Sequence, residues 1–383
     1  MPPPLLISFL FALDTEQGHL FEYNKAVGQA CRLIGWEHAA AVRAAARVSE
    51  RPPGWSFCLG SRKTLFAGGP ALRVEKLLRL LFSLVAYLRR AAQEPRPVIL
   101  FLEWFDMVHL VPFCLALALT PGRRRLWVWI VHRLVTPPGP GRRRLQWVHA
   151  VLRRLVGGDR VVLLSDSALV AEAIAGPFGG PVHLLPIPHT QAQAPAARRP
   201  ELDGRLVCWL PGRAIPEKGL AHVAALAAQS GPEASRLSLV VSASARLAGR
   251  PDGPAILHVP DVLPRAEYEG WLQAADVVLL PYLPELYGER TSGGFAEAIG
   301  AGKLPVVTDG TWMAHELRRY DLPELILDWA APDLAGQLLR LAGDPTVRAR
   351  LDQMRADYQR FHSLAGYSQT LRQVWSAVSQ AEG

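Results

Sequence analysis

Two carboxylates, Glu289 and Glu297, stand eight positions apart in the stretch that runs from Leu279 to Val307. An apolar run ends at Pro281, a polar loop follows, and a small-residue helix is expected to begin near Ser292 or Gly293. One carboxylate then lies in the loop and the other about one turn inside the helix, so both can face one site. Between them, Thr291, Ser292, Gly293 and Gly294 offer backbone N–H groups that lack intrahelical partners, a natural seat for an anion. A second loop, Leu210 to Leu220, carries Arg213 and Lys218 five positions apart, with Gly212 and Gly219 freeing the backbone. Arginine grips phosphate oxygens through two N–H groups and lysine adds a point charge. Carboxylates for hydroxyl groups beside cations and amides for a diphosphate describe a nucleotide-sugar site. The glycine spacing and the Lys-Ser/Thr pair of a Walker A loop are absent.

The elements that must position these residues alternate strand and helix through both halves. Leu5 to Leu13 reads as a buried strand, His19 to Leu33 as a helix with apolar residues at helical spacing, and Ala39 to Val42 as a second strand. This βαβ opening starts a doubly wound domain. Arg51 to Gly69, rich in Gly and Pro, reads as an irregular loop, and Leu72 to Ala92 as an amphipathic helix with flanking cations. Further strands follow at Val98–Leu102, Leu126–Val131, Val161–Leu164 and Val182–Leu185, with helices over Gln146–Leu155 and Ser167–Ile174. Residues 191–204 are rich in Ala, Pro and Arg without a hydrophobic period and read as a linker. The alternation restarts with a strand at Leu206–Trp209. Strands at Leu237–Ser242, Ile256–Val259, Val277–Leu280 and Leu304–Val307 continue it. The expected division is 1–190 as an N-terminal Rossmann-like domain, 205–362 as a donor domain, and 363–383 as a closing helix that packs back on the first. The fold class is therefore α/β, with two Rossmann-like, doubly wound domains facing across a cleft.

Composition agrees with a globular chain: 383 residues, half of them hydrophobic and a fifth charged. No apolar run reaches the roughly eighteen residues that would span a bilayer; Val108 to Thr120 is too short. The apolar start lacks the basic region and cleavage site of a signal peptide. Cys31, Cys58, Cys114 and Cys208 show no metal-type spacing and are expected as reduced thiols in a cytoplasmic protein. The net charge of +8 points to anionic partners. Arginine supplies nearly all of it, in clusters at Arg123–Arg125, Arg142–Arg144 and Arg153–Arg154. With no nucleic-acid motif and no aromatic–basic interleaving, nucleic acid is not expected as a partner. The clusters and the basic helix suggest peripheral contact with an anionic membrane at its inner face; genomic composition would explain the clusters equally, and for the helix a core-facing surface position is the favoured reading.

Taken together, Gly212-Arg-Ala-Ile-Pro-Glu-Lys-Gly219 and, some seventy residues further on, Glu-x7-Glu resemble the retaining family 4 glycosyltransferases of GT-B fold. A loop containing Gly18 stands where the family carries a Gly-rich loop. A strand ends in His132, where many members have a histidine. Ser165-Asp-Ser-Ala-Leu169 is similar to the family's Ser-x-x-Leu helix start. The resemblance implies that Arg213 and Lys218 hold the donor diphosphate, that Glu289 touches the sugar hydroxyls, and that Glu297 accepts from the ribose. It places His132 near the sugar and acceptor; a plain strand-end histidine is the alternative. It further implies front-face attack, in which the leaving phosphate takes the acceptor's proton, in a cleft that closes on the donor.

Two departures bear on specificity. After the first glutamate the family has Gly-Phe-Gly-Leu-Pro, whereas this chain has Arg290-Thr-Ser-Gly-Gly294, and the Pro-Asn-Gly turn is replaced by Pro188-His-Thr190. Arg290 is read as a further phosphate or sugar contact in the donor set, with a simply solvated cation as the alternative. No Asp-x-Asp motif is present, so neither metal nor cofactor is expected beyond the nucleoside-diphosphate sugar itself, and the acceptor is read as a glycan or a lipid-linked molecule. A non-catalytic nucleotide-sugar-binding subunit of a glycan assembly system stays open beside the enzyme.

Overall fold

The computed structural model describes residues 2–16, 19–60, 69–188, 202 and 204–380. They form two compact units, the first comprising Met1–His189 with Leu364–Gly383 and the second Thr190–Ser363.

In unit 1 the chain runs β1 (Leu5–Leu10), α1 (His19–Leu33), β2 (Glu37–Arg43), β3 (Trp55–Leu59), α2 (Pro70–Ala91), β4 (Val98–Leu102) and α3 (Met107–Ala118). It continues through β5 (Leu126–His132), α4 (Pro140–Val156), β6 (Val161–Ser165), α5 (Ala168–Phe178) and β7 (Val182–Leu184). The sheet order is β3-β2-β1-β4-β5-β6-β7, parallel throughout. Strands covered on both faces read as unbroken apolar runs, and β5 shows why. Leu126, Val128 and Ile130 join the core beneath α2 to α5, while Trp127, Trp129 and Val131 point the other way. That second face is closed by α1 and by the last helix of the chain, which contributes Tyr367, Leu371, Val374 and Trp375.

Unit 2 runs β8 (Leu206–Trp209), α6 (Leu220–Ala227), β9 (Leu237–Ser242), β10 (Ala255–Val259), α7 (Arg265–Ala274), β11 (Val277–Leu280) and α8 (Pro284–Tyr287). Then come α9 (Gly293–Gly300), β12 (Leu304–Thr308), α10 (Trp312–Arg319), β13 (Ile326–Leu327), α11 (Leu334–Gly343) and α12 (Pro345–Phe361). The closing helix of unit 1 is α13 (Leu364–Gln380). The second sheet is also parallel, in the order β10-β9-β8-β11-β12-β13. In both sheets the strand order reverses once, between β1 and β4 and between β8 and β11. Ligands in open α/β sheets bind at such reversals, beyond the carboxyl ends of the strands.

Several boundaries differ from the expected ones. The supposed loop Arg51–Gly69 contains β3, which pairs with β2 through Ala40–Trp55 and Val42–Phe57; the flanking Gly and Pro hide a five-residue strand. Helix α4 starts at Pro140, where a proline at the first turn loses no hydrogen bond, so Arg142–Arg144 are helical. Helices α3, α7 and α10 were not anticipated. Among the described residues no helix is long and apolar enough to cross a membrane.

Candidate functional site

In unit 2 the loops after β8 and β11 meet at the point of reversal. Gly219 has φ +72°, and a Cβ there would lie 1.8 Å from the Pro281 carbonyl oxygen, so only glycine lets the two loops touch. The contact continues where the Leu283 N–H donates to the Glu217 carbonyl at 3.1 Å. Lys218 thereby turns inward: its Nζ donates to the Pro211 carbonyl at 3.2 Å and lies 5.7 Å from the Tyr282 ring centre. Burial holds its pKa below the ordinary lysine value, and Arg290 nearby pushes the same way. Arg290 in turn lies over the Tyr287 ring at 5.2 Å, and Tyr287 packs on Tyr282 with ring centres 4.5 Å apart. Two cations therefore stand on two adjacent tyrosines at the start of α9.

Helix α9 begins at Gly293, and Ser292 caps it by accepting from the Phe295 N–H at 3.3 Å. A Cβ on Gly294 would meet Pro211 at 3.7 Å and the Tyr268 hydroxyl at 3.8 Å, which places the helix start directly against the Arg213–Lys218 loop. Arg213 is exposed, with Nε 3.6 Å from Asp261, a carboxylate fixed by the Ser244 N–H at 2.8 Å. Glu289 is exposed in the loop before Thr291, which is half-buried. Glu297 lies deeper, at 1% exposure, with one oxygen taken by Arg265 at 2.6 Å and the other by the Tyr268 hydroxyl at 2.7 Å. Arg265 also pairs with Glu269 at 2.6 Å. Sequence reasoning missed Arg265 and Tyr268. The i,i+4 pair Arg265–Glu269 was the available signal for their helix.

In unit 1 Gly18 lies outside the described residues, as do His189 and Thr190. His132 ends β5 on the side of the α2–α5 layer. It is 3% exposed, between Phe105, Phe178 and His149, whose ring centres are 5.9, 5.2 and 5.0 Å away. Its Nε2 is buried without a hydrogen-bond partner. Burial pushes the pKa of His132 down to about 4 and, with the neighbouring His132, that of His149 to about 3. The next residue, Arg133, falls on the opposite parity and is the one that reaches a polar cluster. It donates to Glu103 at 3.0 Å and forms a close ion pair with Asp166, and its guanidinium lies 5.2 Å from the Tyr23 ring centre. Asn24 holds the other Glu103 oxygen at 2.9 Å. Burial pushes the Glu103 carboxyl up to about 7 despite the arginine beside it. Glu103, Arg133 and Asp166 thus gather at the carboxyl ends of β4, β5 and β6. Asp106, in contrast, precedes α3, where its N–H donates to His109 Nδ1 at 3.1 Å.

No protein-family model matches the sequence, and no curated protein matches it. Solved structures do. Sucrose-phosphate synthase of Thermosynechococcus elongatus superposes with a TM-score of 0.62 at 15% identity, over 99% of this chain and 100% of that chain. The E. coli trehalose-6-phosphate structure bound with UDP-2-fluoro glucose gives 0.65 at 14% identity, over 98% and 99%. AviGT4, a glycosyltransferase involved in avilamycin A biosynthesis, gives 0.53 at 16% identity, over 98% of each chain. The fold is GT-B. At these identities the likeness speaks for the fold alone.

Proposed function

We propose that the chain is a retaining glycosyltransferase, independent of metal, that moves a sugar from a nucleoside-diphosphate sugar to a glycan or lipid-linked acceptor. The observation that carries this reading is the cation–tyrosine group at the β8/β11 reversal, where Lys218 and Arg290 flank the first amides of α9. A leaving diphosphate develops negative charge, and fixed donors aimed at that charge are the largest catalytic contribution an enzyme of this kind can make. Lys218 supplies a partly desolvated ammonium. Arg213, exposed beside Asp261, closes onto the phosphates from solvent. The amides of Thr291 to Gly294 complete the cradle. Glu289 meets the sugar hydroxyls, and Glu297, oriented by Arg265 and Tyr268, presents its remaining lone pairs to the ribose.

No carboxylate is assigned beneath the anomeric carbon, so the two-step retaining route of a covalent glycosyl-enzyme is not the proposal. The acceptor hydroxyl attacks on the face from which the diphosphate departs, and a phosphate oxygen takes its proton. On the acceptor side, unit 1 offers Glu103, Arg133 and Asp166 as hydroxyl-binding groups. His132 remains a candidate only if its buried ring turns towards them. That UDP-2-fluoro glucose is bound in the E. coli neighbour supports a nucleoside-diphosphate donor.

The test is turnover of radiolabelled nucleotide sugars by Glu289→Ala and Lys218→Ala. Each should lose transfer by roughly a hundredfold to a thousandfold, about 3–4 kcal/mol, with an unchanged circular dichroism spectrum. Unchanged turnover in either variant removes that residue from the site. Tight donor binding with no turnover in the native chain would instead favour the non-catalytic binding subunit.

A further inference from the structure

One side of unit 1 is unlike the rest of its surface. Helix α3 carries no charged residue, and its outward positions Val111, Leu115 and the following Leu119 are 41%, 51% and 55% exposed at a spacing of four. A solvent-facing helix normally has polar residues at those positions. On one flank α2 packs against α3 and exposes Leu78 and Phe82; on the other α4 packs against α3 and exposes Trp147. Scattered apolar side chains need no explanation, but a patch spread across three adjoining helices does. The helix that covers the opposite face of the sheet shows the contrast: α13 exposes Gln369, Arg372, Gln373 and Ser376.

The charges around the patch are mostly cationic, Glu75 on α2 and Asp106 before α3 being the acidic ones. Arg143 and Arg144 sit four and three positions before Trp147, both exposed, near the start of α4. Cations there oppose the helix dipole, so the helix gains nothing from them. Arg124 and Arg125 are exposed in the turn before β5, and Arg89 and Arg90 end α2. Helices α3 and α4 contain no acidic residue, and the single one on α2, Glu75, is paired with Arg79 at 2.6 Å.

We propose that the outer side of α2, α3 and α4 docks unit 1 onto an anionic lipid bilayer, with Phe82, Leu115 and Trp147 entering the interface and the arginines at headgroup level. An apolar face with a cationic rim lies in the plane of a bilayer, its apolar side chains reaching the acyl boundary and its cations meeting lipid phosphates. Tryptophan favours that depth, and arginine can lay its stem along the apolar surface while its guanidinium meets phosphate. A second copy of the chain fits less well, because it would bring two arginine rims together. The surface belongs to unit 1 and Lys218 and Glu289 to unit 2, so the proposal does not rest on the donor site.

The test is co-sedimentation of the full chain with vesicles of phosphatidylcholine alone and of phosphatidylcholine mixed with phosphatidylglycerol. Binding should appear on the mixed vesicles and fall with added salt. Phe82→Ser with Leu115→Ser should weaken it by roughly tenfold per substitution, and Arg143→Ser with Arg144→Ser by roughly fivefold per arginine. Leu33→Ser, at an exposed position of α1, should leave it unchanged. All of these positions are exposed, and melting temperatures like that of the parent would show intact folding. Equal binding to both vesicle types, no binding, or parental binding by the patch variants would overturn the proposal. So would a dimer seen by light scattering that Leu115→Ser dissolves while no vesicle binding occurs.

Discussion

Lys218 and Glu297 illustrate two ways a polar side chain is fixed beside a site. Lys218 is held by a backbone carbonyl and a tyrosine face. Glu297 is held by two side chains from α7, and that support has a measurable consequence. Tyr268→Phe removes one hydrogen bond to a buried carboxylate, worth about 1.5–3 kcal/mol for a charged acceptor. Donor KM should rise while the fold persists; an unchanged KM would show that Glu297 needs no such support. The residues themselves differed in how far they could be read. Glu289, Glu297, Arg213 and Lys218 fall within short segments whose spacing carries the signal. Arg265 meets Glu297 across 32 positions, and Arg133 meets Glu103 across 30, so neither partnership has a local signature. For β5, the side-chain alternation turns Arg133 rather than His132 towards the polar cluster.

At the level of elements, the contact between the β8 and β11 loops depends on a single glycine. Gly219→Ala would force a Cβ into the Pro281 carbonyl and a left-handed residue into strain. A loss of more than roughly 2 kcal/mol is expected, the left-handed backbone alone accounting for about 1–2; urea unfolding measures it, and a neutral result would mean the loops separate freely. In unit 1 the helix α13 is held by Trp375, whose ring meets Trp127 at 5.1 Å and Trp36 at 6.3 Å. Trp375→Ala should cost about 3–5 kcal/mol. The strands β4, β5 and β6 were legible because burial on both faces leaves uninterrupted apolar runs. Helix α3 was not, for the same reason that makes its surface unusual: residues apolar all round give no helical period. Strand β3 was lost among glycines and prolines whose turns only its pairing with β2 explains.

For the molecule as a whole, the stacked imidazoles of His132 and His149 give unit 1 a dependence on pH with a definite sign. Their pKa values lie below the ordinary 6.5, so the unfolded chain binds more protons between about pH 4 and 6.5 and stability falls as pH falls through that window. At about pH 5 each should cost about 2 kcal/mol relative to neutral solution. Thermal unfolding at about pH 7 and about pH 5 should show the loss, and His149→Leu should remove close to half of that attributable to the pair. An unaltered pH profile in the variant would mean that the imidazoles are accessible to protons in the native state. Whether Lys218 holds a nucleoside diphosphate at the start of α9 is measured by thermal shift against a panel of nucleoside-diphosphate sugars. At a hundredfold excess over its Kd, a true donor stabilises the native state by about 2.7 kcal/mol. At least one nucleoside-diphosphate sugar should raise the melting temperature of the native chain, and Lys218→Ala should abolish the shift. A panel with no effect, or a shift of equal size in the variant, would contradict that role of Lys218.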